Sequence, residues 1–408
     1  MIQEEKTELT EKTELTAGEK VKELQKELTW SFPNIAKEAP SQKEEAFEYC
    51  EAYKAFLDCA KTEREFTQAA VKLLNEAGYA PFEKGRDYKA GDKVYYVNRK
   101  KSLIMTTFGQ REIGAGVRLN VAHIDSPRLD LKPNPMYEKA EMAFFKTHYY
   151  GGIRKYQWAA IPLAMHGVVV KKDGEITDIR IGEEEGDPVF CVTDLLPHLA
   201  ADQNERKLKD GIKGEELNVI IGSLPFTADE DIKEPVKLLA LSVLNEKYGM
   251  TEKDFIRAEI EIVPAFKAVD VGLDRSMVGA YGQDDRVCAY TALTAEMASI
   301  EPEYTTVTVL ADKEEIGSVG NTGLDSDFVL HYIEDLAETA GIDYRTILRN
   351  SICLSSDVNA AYDPTFSQVY EERNACYINK GCVLTKYTGS RGKGGSNDAS
   401  AETMAKIV

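Results

Sequence analysis

The stretch TTVTVLAD (305–312) is a run of β-branched and apolar residues that ends in a carboxylate. It is followed by DFVLHYIEDLAETAG (327–341), whose apolar residues recur at helical spacing, and then by the strand-like run SICLSSD (351–357). Strands that alternate with helices are typical of an α/β sheet with parallel strands. The segments KSLIMTTFG (101–109) and GVRLNVAHID (116–125) predict further strands. The expected fold class is therefore α/β, with a central sheet flanked by helices.

The middle of the chain has a different pattern. HGVVVKKDGEITDIRIG (166–182) contains two β-rich runs around a turn at Lys172-Asp173-Gly174, which predicts a hairpin. Towards the N-terminus, apolar residues at three- and four-residue spacing predict amphipathic helix from Pro40 to Ala77. The simplest architecture is a discontinuous domain of residues 1–125 plus 265–408, with a β-rich domain inserted at 126–264.

The composition excludes several classes of function. The 408 residues include 50 Lys+Arg and 69 Asp+Glu, a formal net charge of −19. Such a balance argues against nucleic acid and anionic membranes as partners, because both need a basic surface. The seven cysteines form no CxxC pair, the charged N-terminus resembles no secretory signal, and no window approaches the ~20 apolar residues of a membrane helix. We expect a cytoplasmic protein.

Acidic residues and one histidine follow predicted strands or precede a predicted helix at four places. Strand ends of an open α/β sheet meet at one edge, where ligands bind. Carboxylates and an imidazole gathered there would suit zinc, manganese or cobalt, since oxygen and nitrogen ligands predominate. The four segments are LNVAHIDSP (119–127), AYGQDDR (280–286), TVLADKEEIGS (308–318) and CLSSDVNAAYDP (353–364).

Each segment also has an ordinary structural interpretation. Asp284, which precedes RVCAYTALTAEMASI, could simply be the N-cap of that helix. A single histidine after a strand is commonly a hydrogen-bonded polar residue, and Glu314-Glu315 could form a solvated face. These interpretations are weakened because the acids follow β-branched strands, where an unpaired buried charge is costly.

The segments also carry a family resemblance. HIDSPRLDLKPNP, YGG (150–152), LPHLA (196–200), GQDDRVCAY, LADKEEIGS and SSDVNAAYDP together resemble the aspartyl aminopeptidase family, which includes vacuolar aminopeptidase, and especially its bacterial members. The resemblance runs from the N-terminal helices to Val408. It implies a zinc-exopeptidase fold with a mixed central sheet and a cytosolic aminopeptidase with two divalent ions, usually zinc, with cobalt or manganese possible. Its substrates would be peptides with acidic or neutral N-terminal residues.

The resemblance also implies a metal-ligand set. By matching motif positions, His123 would bind one ion and Asp285 would bridge both ions. Glu315 would bind on the second-metal side, and Asp357 would complete the first. The physical chemistry agrees with these roles, because two cations can activate a water and polarise the scissile carbonyl.

Other residues take supporting roles under the same resemblance. Glu314 would be the general base, and Asp125 would orient His123. His198, in the LPHLA segment, would reach the active site of a neighbouring subunit and stabilise the oxyanion. Within the basic segment KGCVLTKYTGSRGKGGSN (380–397), Lys380 is our choice for a cation that binds the substrate's carboxylate; the other basic residues there are Lys386, Arg391 and Lys393.

The implied assembly is a homo-oligomer in which the inserted domain builds dimers and the dimers form a tetrahedral dodecamer. One feature departs from the family, because its second-metal site also uses a histidine near the C-terminus. None of the five histidines here lies after His331. We therefore expect either a truncated chain or the loss of a ligand. An inactive or shell-forming paralogue, or a related metallohydrolase acting on a glycan or acylated amine, are the alternative functions.

Overall fold

The computed structural model describes residues 16–227, 232–387 and 399–407. Arg391, Lys393 and all but Thr16 of the N-terminal repeat EKTELTEKTELT (5–16) lie outside the described residues. The chain divides into two compact units, one of residues 1–47 with 359–408 and the other of residues 48–358. Among the described residues, no helix is both long enough and apolar enough to cross a bilayer.

The described helices are numbered in chain order. They are α1 (Ala17–Leu28), α2 (Ile35–Glu38), α3 (Lys43–Cys59), α4 (Glu63–Glu76), α5 (Ala201–Asn204), α6 (Pro235–Tyr248), α7 (Gln283–Ala298), α8 (Phe328–Ala340), α9 (Tyr344–Asn350) and α10 (Ala401–Ile407).

The described strands are numbered in the same way. They are β1 (Ala80–Pro81), β2 (Lys93–Asn98), β3 (Ser102–Thr107), β4 (Arg118–His123), β5 (Arg128–Lys139), β6 (Met142–Tyr150), β7 (Leu163–Val170), β8 (Ile176–Ile181), β9 (Cys191–Val192), β10 (Val219–Gly222), β11 (Ala258–Pro264), β12 (Val269–Val271), β13 (Met277–Gly279), β14 (Thr306–Ala311) and β15 (Ile352–Ser355).

A six-stranded sheet in the order β1-β2-β3-β14-β4-β15 contains the four strands that the sequence predicts for the α/β sheet, which are β3, β4, β14 and β15. β14 and β15 both run parallel to β4, whereas β3 runs antiparallel to β14 and to β2. The sheet is therefore mixed, as the α/β fold class anticipates. The carboxyl ends of β4, β14 and β15 meet at one edge, since His123 pairs in register with Ala311.

Two apolar layers cover this sheet. Every residue of β3 is buried, which is typical of a strand covered on both faces. Leu103 and Met105 pack into a cluster with residues of α3, α4 and α7. Ile104 points the other way and packs with residues of α8 and α9. The alternation along β3 thus builds the two layers that fix the sheet edge.

A seven-stranded sheet in the order β8-β7-β11-β5-β6-β10-β9 is built from strands that all lie between 126 and 264. The hairpin expected around Lys172-Asp173-Gly174 is present as β7 and β8. Both sheets belong to the unit of residues 48–358. The assignment of 126–264 as a separate domain stays a prediction.

The helix expected from Pro40 to Ala77 is in fact two long helices, α3 and α4, preceded by a short 3₁₀ turn at Pro40–Gln42. The first helix ends before Thr62. The Thr62 hydroxyl accepts a hydrogen bond from the Glu65 N–H, and the Glu65 carboxylate accepts one from the Thr62 N–H. This capping box satisfies the first free N–H groups of a new helix. The apolar spacing alone continued through the break, so the spacing could not locate it.

Candidate metal centre

Four segments bring acidic residues and a histidine to the edge of the six-stranded sheet. β4 ends at His123, and β14 is followed by the turn that carries Glu314 and Glu315. Asp357 lies two residues beyond β15. Asp284 and Asp285 lie in the first turn of α7, where their backbone angles are not helical. Three of the four segments therefore lie at the ends of strands, as the sequence predicted.

The imidazole of His123 is the centre of this cluster. His123 is 4% exposed. Its Nε2 atom lies 3.2 Å from Asp284 Oδ1, 3.8 Å from Glu314 Oε2 and 4.0 Å from Asp357 Oδ1. One ligand atom from each of His123, Asp284 and Asp357 lies within 4.8 Å of the others. The three carboxylates are about half exposed, so an ion or a substrate can reach them.

The opposite ring nitrogen fixes the orientation of His123. Nδ1 lies 3.0 Å from the backbone carbonyl oxygen of Asp125 and 3.3 Å from its Oδ1. Both partners are acceptors, so we assign a proton to Nδ1; Nε2 faces the carboxylates and would bind a cation after losing its own proton. Burial lowers the pKa of His123, but Asp125 and Asp284 outweigh that effect and raise the pKa to about 11.

Asp284 and Asp285, although adjacent, have different surroundings. The Asp284 carboxylate contacts the His123 ring, and its backbone carbonyl accepts a hydrogen bond from Ser126 Oγ at 2.7 Å. Asp285 is fully buried, and among the described residues its carboxylate oxygens form no well-aligned hydrogen bond, with the Cys288 thiol as a polar neighbour. Burial raises the pKa of Asp285 to about 7. Asp284 is therefore a candidate ligand, in the segment that the sequence analysis placed in the cluster, whereas the resemblance gave the bridging role to Asp285.

A tight turn after β14 presents Glu314 and Glu315. Lys313 and Ser318, on either side, have positive φ angles of 75° and 60°. The backbone N–H groups of Glu314 and Glu315 donate to Asp125 Oδ1 and Oδ2, each at 3.2 Å. Burial, reinforced by the negative charge of Asp284, raises the pKa of Glu315 to about 7, and burial also raises the pKa of Glu314.

These surroundings fit a divalent cation. A buried imidazole nitrogen and a buried carboxylate would each be costly without a partner, and among the described residues neither His123 Nε2 nor Asp285 forms a well-aligned hydrogen bond, although Asp284 lies near the first and Cys288 near the second. Carboxylates that converge on one imidazole also repel each other unless a positive charge lies between them. A set of one nitrogen and several oxygen donors suits zinc and related ions.

The structure places His198 on a surface turn, and Lys380 and Lys386 in the unit of residues 1–47 and 359–408. His198 is exposed on the 3₁₀ turn Pro197–Leu199, and among the described residues no hydrogen bond or ion pair joins it to His123 or its carboxylates. Lys380 lies in the unit of residues 1–47 and 359–408, where its Nζ donates to the carbonyl of Phe32 at 2.6 Å. The Nζ of Lys386 lies 5.9 Å from the centre of the Tyr387 ring.

The fold and the cluster of carboxylates around His123 suit a metal-dependent hydrolase, and comparison with known proteins gives the family. Residues 56–408 match the aminopeptidase I zinc metalloprotease family, M18. The chain belongs to this family and is a metalloaminopeptidase, as the sequence motifs indicated. The family also supports a divalent metal, with zinc the expected ion.

Similar proteins come from several bacteria. The chain is 49% identical over 375 residues to a protein of Clostridium acetobutylicum described as a probable M18 family aminopeptidase 1, covering 90% of this chain and 80% of that protein. It superposes on the crystal structure of an M18 aminopeptidase from Thermotoga maritima with a TM-score of 0.87 and 43% identity, covering 93% of this chain and 84% of that one. Yeast aminopeptidase 1, at 20% identity and a TM-score of 0.66, shares the fold.

Proposed function

We propose that this M18 aminopeptidase uses two divalent ions, zinc foremost, to remove acidic or neutral N-terminal residues from peptides. One observation carries the proposal: the buried Nε2 of His123 faces the carboxylates of Asp284, Glu314 and Asp357 at 3.2–4.0 Å. The family comparison favours neither an inactive paralogue nor a hydrolase of another class.

Four residues would bind the two ions: two of them the first ion, one the second, and one both. His123 and Asp357 would bind the first ion, and Glu315 would bind on the side of the second. For the shared carboxylate, the resemblance indicates Asp285, whereas the contact with His123 supports Asp284. When bound, the ions would supply Lewis-acid polarisation of the scissile carbonyl and of the attacking water.

Glu314 would move the proton. Its side chain is about half exposed beside the cluster, and burial raises the pKa of its carboxyl, which makes the carboxylate a better proton acceptor. An oxygen of Glu314 would take the proton from the attacking water and return it to the leaving amine. Asp125 would keep the His123 ring in one orientation and one tautomer throughout.

Three further features belong to the proposal. Lys380 would contribute a cation for the acidic N-terminal residue, and a cytoplasmic location suits the thiols and the acidic composition. The chain would form a homo-oligomer in which His198 of one subunit serves the site of another. Its exposure on a surface turn supports this role. A solved structure with the same fold is described as a dodecamer, and we extend the dodecamer to this chain as a proposal.

Substitution of the proposed base tests the reaction. Glu314→Gln is expected to lower kcat about 10²–10⁴-fold on aminoacyl substrates, because the acceptor for the proton of water is lost. Zinc affinity, measured by calorimetry, should change much less, and a chelator should abolish wild-type activity until zinc, cobalt or manganese is added back. A panel of acidic, neutral and apolar aminoacyl substrates gives the specificity.

Glu334→Gln, at an exposed position of α8, is the matched control and should leave kcat unchanged. The proposal fails if Glu314→Gln keeps wild-type kcat. It also fails if the metal-loaded protein cleaves no member of the panel. Fewer than one bound metal per folded chain in elemental analysis would instead favour an inactive paralogue.

A further inference from the structure

We propose that Tyr150 is a positioning residue of the metal centre, because its hydroxyl fixes the Asp125 carboxylate that holds both the His123 ring and the Glu314-Glu315 turn. The inference rests on the proposed metal centre and adds to it a residue from the seven-stranded sheet. Tyr150 begins the YGG segment (150–152), which the functions assigned above leave unexplained.

Tyr150 reaches Asp125 from the end of β6. It is 7% exposed, and its hydroxyl lies 2.7 Å from Asp125 Oδ2. An ionised carboxylate can only accept, so Tyr150 is the donor. Hydrogen bonds to a charged group are stronger than neutral ones, and this bond is enclosed by protein. Tyr150 therefore restricts the rotation of the Asp125 carboxylate.

Asp125 transmits this restriction to both sides of the centre. Its Oδ1 lies 3.3 Å from His123 Nδ1 and accepts the Glu314 N–H, while its Oδ2 accepts the Glu315 N–H together with the Tyr150 hydroxyl. A single carboxylate thus sets the orientation of the imidazole and the position of the turn. If Asp125 were free to rotate, a ligand and the proposed base would lose their alignment together.

The seven-stranded sheet holds Tyr150 in place. Tyr150 pairs with Arg128 across β5 and β6, and the Arg128 guanidinium carbon lies 3.8 Å from the centre of the Tyr150 ring. Arg128 is itself buried and fixed by Asp130 Oδ1 at 2.9 Å and by Glu261 Oε2 at 3.2 Å. A cation over an aromatic face is favourable, and more so where water is excluded. The ring is anchored independently of its hydroxyl.

Gly151, next to Tyr150, leaves room for the side chain of Glu315. The φ of Gly151 is +71°, and a Cβ built at this position would lie 3.1 Å from both Cβ and Oε2 of Glu315. A side chain here would be strained by the backbone and would push against Glu315. The Tyr150-Gly151 pair therefore steadies Asp125 and leaves space for Glu315.

Tyr150→Phe is the test, because it removes the hydroxyl and keeps the ring against Arg128. We expect Zn²⁺ or Co²⁺ to bind up to about 10-fold more weakly in chelator competition, the lower end of the cost of losing a direct partner of a ligating histidine, because Tyr150 acts through Asp125. The visible spectrum of the Co²⁺ protein should shift, and kcat should fall with little change in KM. The melting temperature of the metal-free protein should fall by about a few degrees, because the buried Asp125 carboxylate loses one donor.

Tyr332→Phe is the matched control, since it deletes another buried hydroxyl, the one bonded to Thr106 Oγ1 at 2.7 Å. It should leave metal affinity and the Co²⁺ spectrum unchanged. If Tyr150→Phe binds metal as the wild type does, or loses only thermal stability, the inference is overturned while the proposed function stands. If wild-type protein binds no metal and cleaves no substrate, the proposed function itself fails and this inference falls with it.

Discussion

The two ring nitrogens of His123 have different partners, and this difference determines what the residue can do. Nδ1 meets two oxygens of Asp125, whereas Nε2 faces Asp284 and Asp357. A histidine held through one nitrogen presents the other as a ligand in a fixed direction. His123 and Asp125 are two residues apart at the end of one strand, so the sequence already contained this pair.

Which of Asp284 and Asp285 is the shared metal ligand can be tested at the scale of single residues. Asp284→Asn should weaken Zn²⁺ binding by about 100-fold or more, beyond the ~10–100-fold typical of residues that only support a ligand. Asp285→Asn should weaken it less, because its buried carboxylate lies outside the group formed by His123, Asp284 and Asp357. Calorimetry on both variants measures the difference. The reverse order of effects would restore Asp285 as the shared ligand.

The two aspartates also show the limit of sequence reasoning at one position. Both precede the regular part of α7 in GQDDR, and either could have met the strand ends. The backbone at the start of α7 turns their side chains to different surroundings. Residue type and spacing do not encode that turn, so only the folded chain separates them.

At the scale of elements, α4 links its own capping box to a buried ionic network. Glu65, which closes the capping box with Thr62, also lies 2.8 Å from Nδ1 of His166 on β7. Nε2 of the same ring lies 3.6 Å from Glu183 Oε1. Glu183 is paired further with Lys61 and Arg180. Helix α4 is thereby attached to the seven-stranded sheet through charged groups.

His166 predicts a pH dependence of stability. Burial lowers the pKa of His166, but the neighbouring carboxylates of Glu183 and Glu65 outweigh burial and raise the pKa above its ordinary value. A raised pKa in the folded state means that the stabilisation is complete below about pH 6.5 and is lost as the pH rises through the folded pKa. His166→Gln should lower the free energy of unfolding by about 1.5–3 kcal/mol near pH 6, and this deficit should shrink as the pH rises.

Urea denaturation across that pH range measures the deficit. His148→Gln is the control, because His148 is an exposed histidine on β6 of the same sheet. A deficit that stays constant or grows with pH would contradict the charged state assigned to His166.

The strands were the elements that the sequence predicted best. β4, β14 and β15 lie within runs that are rich in β-branched or apolar residues and end near an acid or histidine. The break between α3 and α4 was missed because apolar residues continue at helical spacing on both sides of Thr62. The hydrogen-bonded cap at Thr62 starts a new helix even though the apolar spacing continues. Such caps are predicted from short polar motifs, which also occur by chance where no helix begins.

At the scale of the whole molecule, the prediction concerns how subunits assemble around the proposed metal centre. The chain covers 80% of the length of the Clostridium acetobutylicum relative and 84% of the solved Thermotoga maritima chain. Within the described residues, His198 has no bond to the His123 cluster. The proposed role of His198 therefore requires a second subunit.

Complementation between two inactive variants tests this assembly. His198→Ala and Glu314→Gln should each be nearly inactive alone, yet co-expressed chains should regain on the order of a quarter of wild-type activity if random pairing forms dimers. Recovery follows because a subunit with Glu314 would receive His198 from its neighbour. Mass measurement in solution would show that the mixed oligomer forms. A mixed oligomer that stays inactive would contradict the role in trans.

Local sequence patterns were enough to predict the α/β class, the strand ends and the acids and histidine that follow them, because periodicity and residue type are local properties. The sequence also carried enough motif information to indicate the family, which the comparisons confirm. The tertiary structure decided which acids meet His123, because neighbouring carboxylates at the start of α7 point to different surroundings. It alone joined Tyr150 to Asp125, since that contact depends on how one sheet packs beside the end of another. Long-range contacts of this kind have no spacing that a sequence pattern can reveal.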